Sequence, residues 1–362
     1  MADLEIIAPE KVLEIEFSLE PAYSAVADLC LTNKILSGFS EWVHQTAAEL
    51  SPEQIRANNI VCGAAIMFLE GEEWPSFEAW LDHVRQLDPY AMRDREVDYF
   101  LEKAASVLSD GGEAIPSAEQ VLGDQVLFTS LVERVSKHKG VDCDEGECEM
   151  DFDLLIDPPT RKEFILTNLQ EMWDKYIERE LNQNLPMLRE SVAAFNSLDF
   201  SGKSTNEIVL EIIDRDSLPG EWESLMEEIE EIIFIPSAHI GPFLLAIHVG
   251  EKTARIIFGA RVPKGANITS PALQRSELLM RLNTLADETR LHILELLTQE
   301  DELGAKDIMS QLDLSQSAAS RHLRQLSVTG YLIEGRRDGS KYYRLNQDRV
   351  KDTTDAIEAF LK

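Results

Sequence analysis

The stretch from Ser315 to Tyr343 constrains this chain more than any other, because a helical period and a hairpin signal follow each other there without a gap. Ala319, Leu323 and Leu326 follow the i, i+4, i+7 spacing of one buried helical stripe. Ser317, Ser320, Arg321 and Arg324 recur at i, i+3, i+4, i+7 on the opposite face, so small and basic side chains line the side that stays in water. After Gly330, Tyr331 to Arg336 and Lys341 to Leu345 read as two strands joined through Asp338-Gly339, a strong hairpin turn. Small side chains let such a helix sit deep in a DNA major groove, arginine reaches guanine O6 and N7 or phosphate, and Gln316 and Ser317 fall at the end that meets base edges. Arg336, Arg337 and Lys341 lie near the hairpin tip, where they reach the neighbouring backbone or minor groove.

Preceding blocks fit the same plan. Leu278, Leu279, Leu282, Leu285, Ile293, Leu294, Leu296 and Leu297 predict one or two amphipathic helices across Ser276 to Leu297, with a break at Ala286-Asp287. Lys306 to Leu312 predicts a short helix, and Asp313-Leu314-Ser315 a turn into the next. Leu285 to Leu294, Ser315 to Leu326, Gly330-Tyr331-Leu332 and Gly335 to Tyr343 together resemble the ArsR-type winged helix-turn-helix of bacterial regulators, over about 90 of the 362 residues. The resemblance implies a homodimer on double-stranded DNA, repression as the family habit, and a C-terminal helix at the dimer interface. Val350, Ile357, Phe360 and Leu361 supply an apolar stripe for that helix. Metal-sensing members carry Cys on the first helix of the helix-turn-helix, or His and carboxylates on the C-terminal helix. Here Leu303 to Leu312 has no Cys and Gln347 to Lys362 no His, so the expectation is no metal and no cofactor.

A net charge of −32 sits badly with phosphate binding until the chain is divided. Residues 271–362 hold 13 basic and 15 acidic residues, a balance of −2, which leaves −30 upstream. Between Ser315 and Leu345 the balance is +4, and a local basic face is the footprint that matters.

Upstream, Val12 to Leu19 alternates like a strand with one buried face. Helical spacing runs from Pro21 to about Lys139, broken at Ser51-Pro52, Trp74-Pro75, Asp88-Pro89 and Asp110-Gly111-Gly112. Residues 140–151 read as an acidic, solvated loop. A second helical stretch spans Thr160 to Leu198, interrupted by Pro186, and shorter helices are predicted near Asn206 to Ile213 and Glu221 to Glu230. Ile232 to Ile235, Phe243 to Val249 and Ala254 to Ala260 suggest a small antiparallel meander. The predicted fold class is therefore α+β, mostly α. A helical region (1–139), the acidic loop (140–151), an α+β region (152–262) and a linker (263–270) precede the winged helix-turn-helix (271–362).

No enzyme is expected. Gly202-Lys203-Ser204-Thr205 resembles the end of a phosphate loop, but Ser197 stands where the pattern needs Gly, and a helix N-cap is the better reading. Cys143 and Cys148 could pinch a metal or form a redox pair, but no second Cys pair is nearby, and a flexible acidic loop fits better. Cys30, Cys62, Cys143 and Cys148 are too few for a disulfide framework and read as reduced thiols. The seven histidines are isolated; His322 falls beside the recognition face, as a phosphate contact or plain helix surface. Trp173, Tyr176, Phe195 and Trp222 read as core sooner than as a ligand pocket. No membrane-length apolar run and no basic leader occur, so a cytoplasmic protein is expected. The sequence thus supports a DNA-binding transcription regulator whose upstream region senses a small molecule or a protein. The alternative is an interaction module whose acidic region engages a partner or covers the winged helix.

Overall fold

The computed structural model describes residues 13–33, 36–108, 115–138, 144–214, 218, 222, 229–248, 252–263, 265–266, 270–337 and 340–362. They form two compact units, one of Glu20–Asn33 and Thr46–Leu181, the other of Met1–Leu19, Lys34–Gln45 and Asn182–Lys362. The architecture is α+β, mostly α, and no described helix is long and apolar enough to cross a membrane.

In the first unit the helices are α1 (Pro21–Leu31), the end of α2 (Glu41–Glu49), α3 (Pro52–Phe68), α4 (Phe77–Gln86), α5 (Pro89–Leu108), α6 (Ala118–Gly123), α7 (Gln125–His138), α8 (Glu145–Ile156) and α9 (Pro158–Met172). The predicted breaks at Ser51-Pro52 and Asp88-Pro89 are helix starts: Ser51 forms a capping box with Gln54, and the Asp88 carboxylate accepts from the backbone N–H of Tyr90 and Ala91. Residues 110–112 lie outside the described residues. The acidic loop is shorter than expected, because Asp144 caps α8 and Glu145 and Glu147 sit in its first turn, where the helix dipole favours negative charge. Phe152 and Leu155 bury the inner face of that helix.

After α9 one π turn, Trp173–Ile177, leads into α10 (Glu178–Asn196), and Trp173 stacks on Phe77 at 4.4 Å between centroids. Pro186 does not end α10. The proline forfeits one backbone hydrogen bond, but the buried Leu188, Ala194 and Phe195 anchor the turns beyond it.

Two further features were not predicted. Cys30 and Cys62, expected as thiols, are joined in a disulfide between α1 and α3, which bring their Cα atoms to 5.6 Å across a sequence separation of 32. Helix packing, invisible to spacing along the chain, makes that pair. Cys148 is buried, and Cys143 lies outside the described residues, so the expected pairing of the two does as well. Arg161, buried on α9, donates through Nε (2.9 Å) and Nη2 (2.5 Å) to the equally buried Glu96 of α5 and through Nη1 (2.7 Å) to Asp151. Desolvation opposes the charge on Arg161, but Asp151 and Glu96 outweigh it and hold the guanidinium protonated.

Asp28, buried in α1, is pushed well above the usual carboxylate range by desolvation and, to a smaller extent, by Glu180. A raised folded-state pKa means that stabilisation by this proton is complete below the unfolded value of about 3.9 and is lost as pH rises through the folded value. Asp28→Asn is therefore expected to raise the unfolding temperature near neutral pH and leave it unchanged in strong acid. A scan of unfolding temperature against pH for both proteins checks this; parallel curves would contradict it.

The second unit is built on a mixed sheet of order β1-β2-β4-β3, formed by β1 (Glu14–Phe17), β2 (Glu231–Ser237), β3 (Leu244–His248) and β4 (Thr253–Gly259). β3 and β4 are antiparallel, as a meander requires, but β2 runs parallel to both β4 and β1. The reason lies in Ile232-Ile233-Phe234-Ile235, where every residue is buried: a continuous apolar run is covered on both faces, as in a central parallel strand. One side of the sheet packs Phe17, Phe195, Phe234 and Phe258 into an aromatic cluster against Ile208, Val209 and Ile212 of α11 (Thr205–Ile213). Ser204 caps α11 in a capping box with Glu207, so Gly202-Lys203-Ser204-Thr205 takes the helix-start role. Residues 221 and 223–228, part of a predicted helix, lie outside the described residues.

The same unit carries the winged helix. It comprises α12 (Pro271–Leu285), α13 (Glu288–Gln299), β5 (Leu303–Gly304), α14 (Ala305–Leu312), α15 (Gln316–Val328), β6 (Leu332–Arg337), β7 (Ser340–Leu345) and α16 (Gln347–Phe360). The break after Leu285 falls where predicted, with the Asp287 carboxylate accepting from the Arg290 N–H at 2.9 Å. β5, β7 and β6 form an antiparallel sheet, and Ile293, Ile308, Leu323, Leu326 and Tyr331 fill the core.

Candidate nucleic-acid interface

Helix α15 begins where Asp313 adopts a left-handed φ of 51° and Ser315 caps the first turn by accepting from the Ala318 N–H at 3.2 Å. From there the helix divides as its period requires. Ala319 (1% exposed), Leu323 (1%) and Leu326 (0%) enter the core, while Gln316, Ser317, Ser320, Arg321 and Arg324 are exposed. The structure thus brings all five predicted α15 residues onto the solvent side of one helix. Arg336 and Lys341 stand opposite each other on β6 and β7, with Arg337 next along β6, and all three are exposed. The tip, residues 338–339, lies outside the described residues.

The cations differ in what holds them. Arg337 pairs with Glu302 at 2.7 Å and stands over the Tyr342 ring, and Lys341 pairs with Glu334 at 3.1 Å. Arg324 lies over the Phe243 ring, 5.7 Å from its centroid. Among the described residues Arg321 and Arg336 have no carboxylate partner. Exposed pairs of this kind are worth about 1 kcal/mol or less, so phosphate can displace Glu302 and Glu334 at little cost.

His322 is corrected by the structure. It is 7% exposed and faces inward, with Nδ1 3.5 Å from the Asp287 carboxylate, and burial pushes its pKa below the usual histidine range while Asp287 acts against that shift. It braces α15 from behind. Three other supports carried no sequence signal. Gln325, buried, donates to Thr284 Oγ1 at 3.3 Å and packs against Gly38, where an added Cβ would meet its side-chain amide at 2.5 Å. Arg290 donates to the carbonyls of Thr284 (2.5 Å) and Asn283 (3.0 Å), fixing the α12–α13 corner. Phe243 comes from the strand region. Polar residues that satisfy buried backbone look, in sequence, like surface residues.

Comparison with known proteins agrees with this geometry. The model of the bacterial regulatory protein family arsR matches residues 287–333, from the cap of α13 into β6. The arsenical resistance operon repressor of Escherichia coli (strain K12) is 44% identical over 62 residues, 17% of this chain and 53% of the relative. That of Staphylococcus aureus is 39% identical over 77 residues, 21% of this chain and 72% of the relative. The transcriptional activator HlyU of Vibrio cholerae is 32% identical over 90 residues, 24% of this chain and 82% of the relative. The chain spans little more than half the length of several of these relatives, including the Escherichia coli repressor. The matches involve a quarter of the chain or less.

Proposed function

The chain belongs to the arsR family of bacterial regulatory proteins, and from that premise we propose that it is a DNA-binding transcription regulator that works in the cytoplasm as a homodimer. The observation that carries this reading is the exposed face of α15, on which Ser317, Ser320, Arg321 and Arg324 stand together above a fully buried apolar stripe. In this reading Gln316, Ser317, Ser320 and Arg324 read base edges, while Arg321, Arg336, Arg337 and Lys341 hold phosphates. The dimer contact falls on α12 and α16, where Leu279, Phe360 and Leu361 are exposed. Two relatives named as operon repressors and one named as an activator leave repression as the favoured sign, acting by occupancy of a promoter. The rest of the chain serves as sensor, with no enzymatic step assigned to it.

Selection of bound sequences from random DNA tests the proposal. A pseudo-palindromic site is expected, with half-sites about one helical turn or a small multiple apart. Binding to that site should weaken linearly in log salt, and Arg336→Ala should reduce the slope by about 1 for each phosphate left without its cation. Failure to enrich any sequence would remove the DNA-binding reading.

A further inference from the structure

A cavity of about 700 Å³ lies between the end of α11, residues 261–263, and helices α12 and α16. Its inner side is built from guanidinium groups. Arg349 of α16 donates through Nη2 to the Asp214 carboxylate (2.6 Å) and to the Asp214 carbonyl (2.9 Å), while Arg261 and Arg281 each approach that carboxylate at 4.0 Å. Arg281 also donates to Glu277 at 2.5 Å. Three cations therefore meet two carboxylates, an excess of one positive charge among side chains only 9–11% exposed for the arginines.

Hydrogen bonding at this inner side is incomplete. The Nε of Arg281 is buried with no partner, and the Arg261 guanidinium makes no hydrogen bond among the described residues. Burial of Arg261 works against its charge, opposed by Glu277 and Asp214 and reinforced by its neighbours Arg349 and Arg281. Buried donors of this strength are normally paired. Nearer the solvent the sign changes, with Asp348 exposed and Asp352 half-buried on α16.

We propose that this cavity binds a small zwitterion of the α-amino-acid type, its carboxylate held by Arg261 and Arg281 and its ammonium group by Asp348 and Asp352. One added carboxylate matches the single excess charge of the inner side, and the acidic outer side disfavours a phosphate or other dianion. The volume lies in the range of small-molecule sites. Because the arginines come from the strand region, from α12 and from α16, a ligand that draws on them changes the hold of Asp214 on α16. Its role as the regulatory signal rests on the function proposed above; its binding does not.

Thermal unfolding of the full chain, with no DNA present, separates the two. The probes are individual α-amino acids, with acetate, ethylamine and inorganic phosphate at matched ionic strength. At least one amino acid is expected to raise the unfolding temperature by about 3 °C or more near saturation, with none of the three controls doing so. Arg281→Gln should abolish the shift, and Asp348→Lys, an exposed change that leaves the core intact, should abolish it too. No stabilising amino acid, an equal shift with acetate or phosphate, or a shift that survives both substitutions would overturn the proposal. A chain that binds no DNA yet shows the shift would retain this site and lose only its regulatory role.

Discussion

Replacing Arg321 and Arg324 together by alanine is expected to abolish specific DNA binding in a mobility-shift assay while leaving the unfolding temperature unchanged. Both side chains are exposed, and neither has an ion-pair partner among the described residues, so truncation disturbs nothing in the core. A bidentate arginine-to-guanine contact discriminates by about 1–3 kcal/mol, and a dimer presents each residue twice. The combined loss at two half-sites is thus on the order of 100-fold or more, with non-specific binding falling far less. Arg324→Lys separates the two proposed roles, because lysine keeps the charge but not the fork. It should bind DNA with weaker sequence preference, and the selected site should lose definition at the base pair under Arg324. Unchanged affinity and preference in the double alanine variant would mean that α15 does not enter the groove.

The second large effect belongs to stability. Arg161→Met is expected to destabilise the helical unit by about 3–5 kcal/mol, since it strands the Glu96 carboxylate in the interior without its partner. The penalty comes from the orphaned charge and not from a missing attraction. Arg161→Met combined with Glu96→Leu should therefore recover most of the loss, because a well-packed apolar pair often does as well as a buried ion pair. Urea unfolding of the single and double variants measures both; a single-variant loss below about 1 kcal/mol would show that the pair is solvated.

What sequence could reveal depended on how local the cause was. Helix α15, its cap at Ser315, the break at Ala286-Asp287 and the wing strands are set by spacing within a few residues, and each appears where the spacing places it. The sheet is different. Ile232 to Ile235 looks the same in a meander and in a central parallel strand until its neighbours are known, and those neighbours, β1 and β4, are supplied by distant chain. Pro186 shows the converse, since a strong local breaker is overridden by burial on either side of it. Gln325, Arg290 and Arg349 escaped notice because polar residues that support a fold from inside carry no period. The Cys30–Cys62 pair depends only on which helices pack together.

The first strand has a consequence for how the chain is made. β1 finds its partner β2 more than two hundred residues downstream, and helices α1 to α9 are synthesised in between. At about 5–20 residues per second, roughly 10–40 s pass before β2 leaves the ribosome, long enough for a helical unit of local contacts to close first. Until then Ile15 and Phe17 sit in an unpaired, apolar edge at the front of the nascent chain. Shortening the N-terminus would remove a strand from the sheet that supports the winged helix, so expression variants that trim the first twenty residues should lose solubility, although the cut lies far from α15 in sequence.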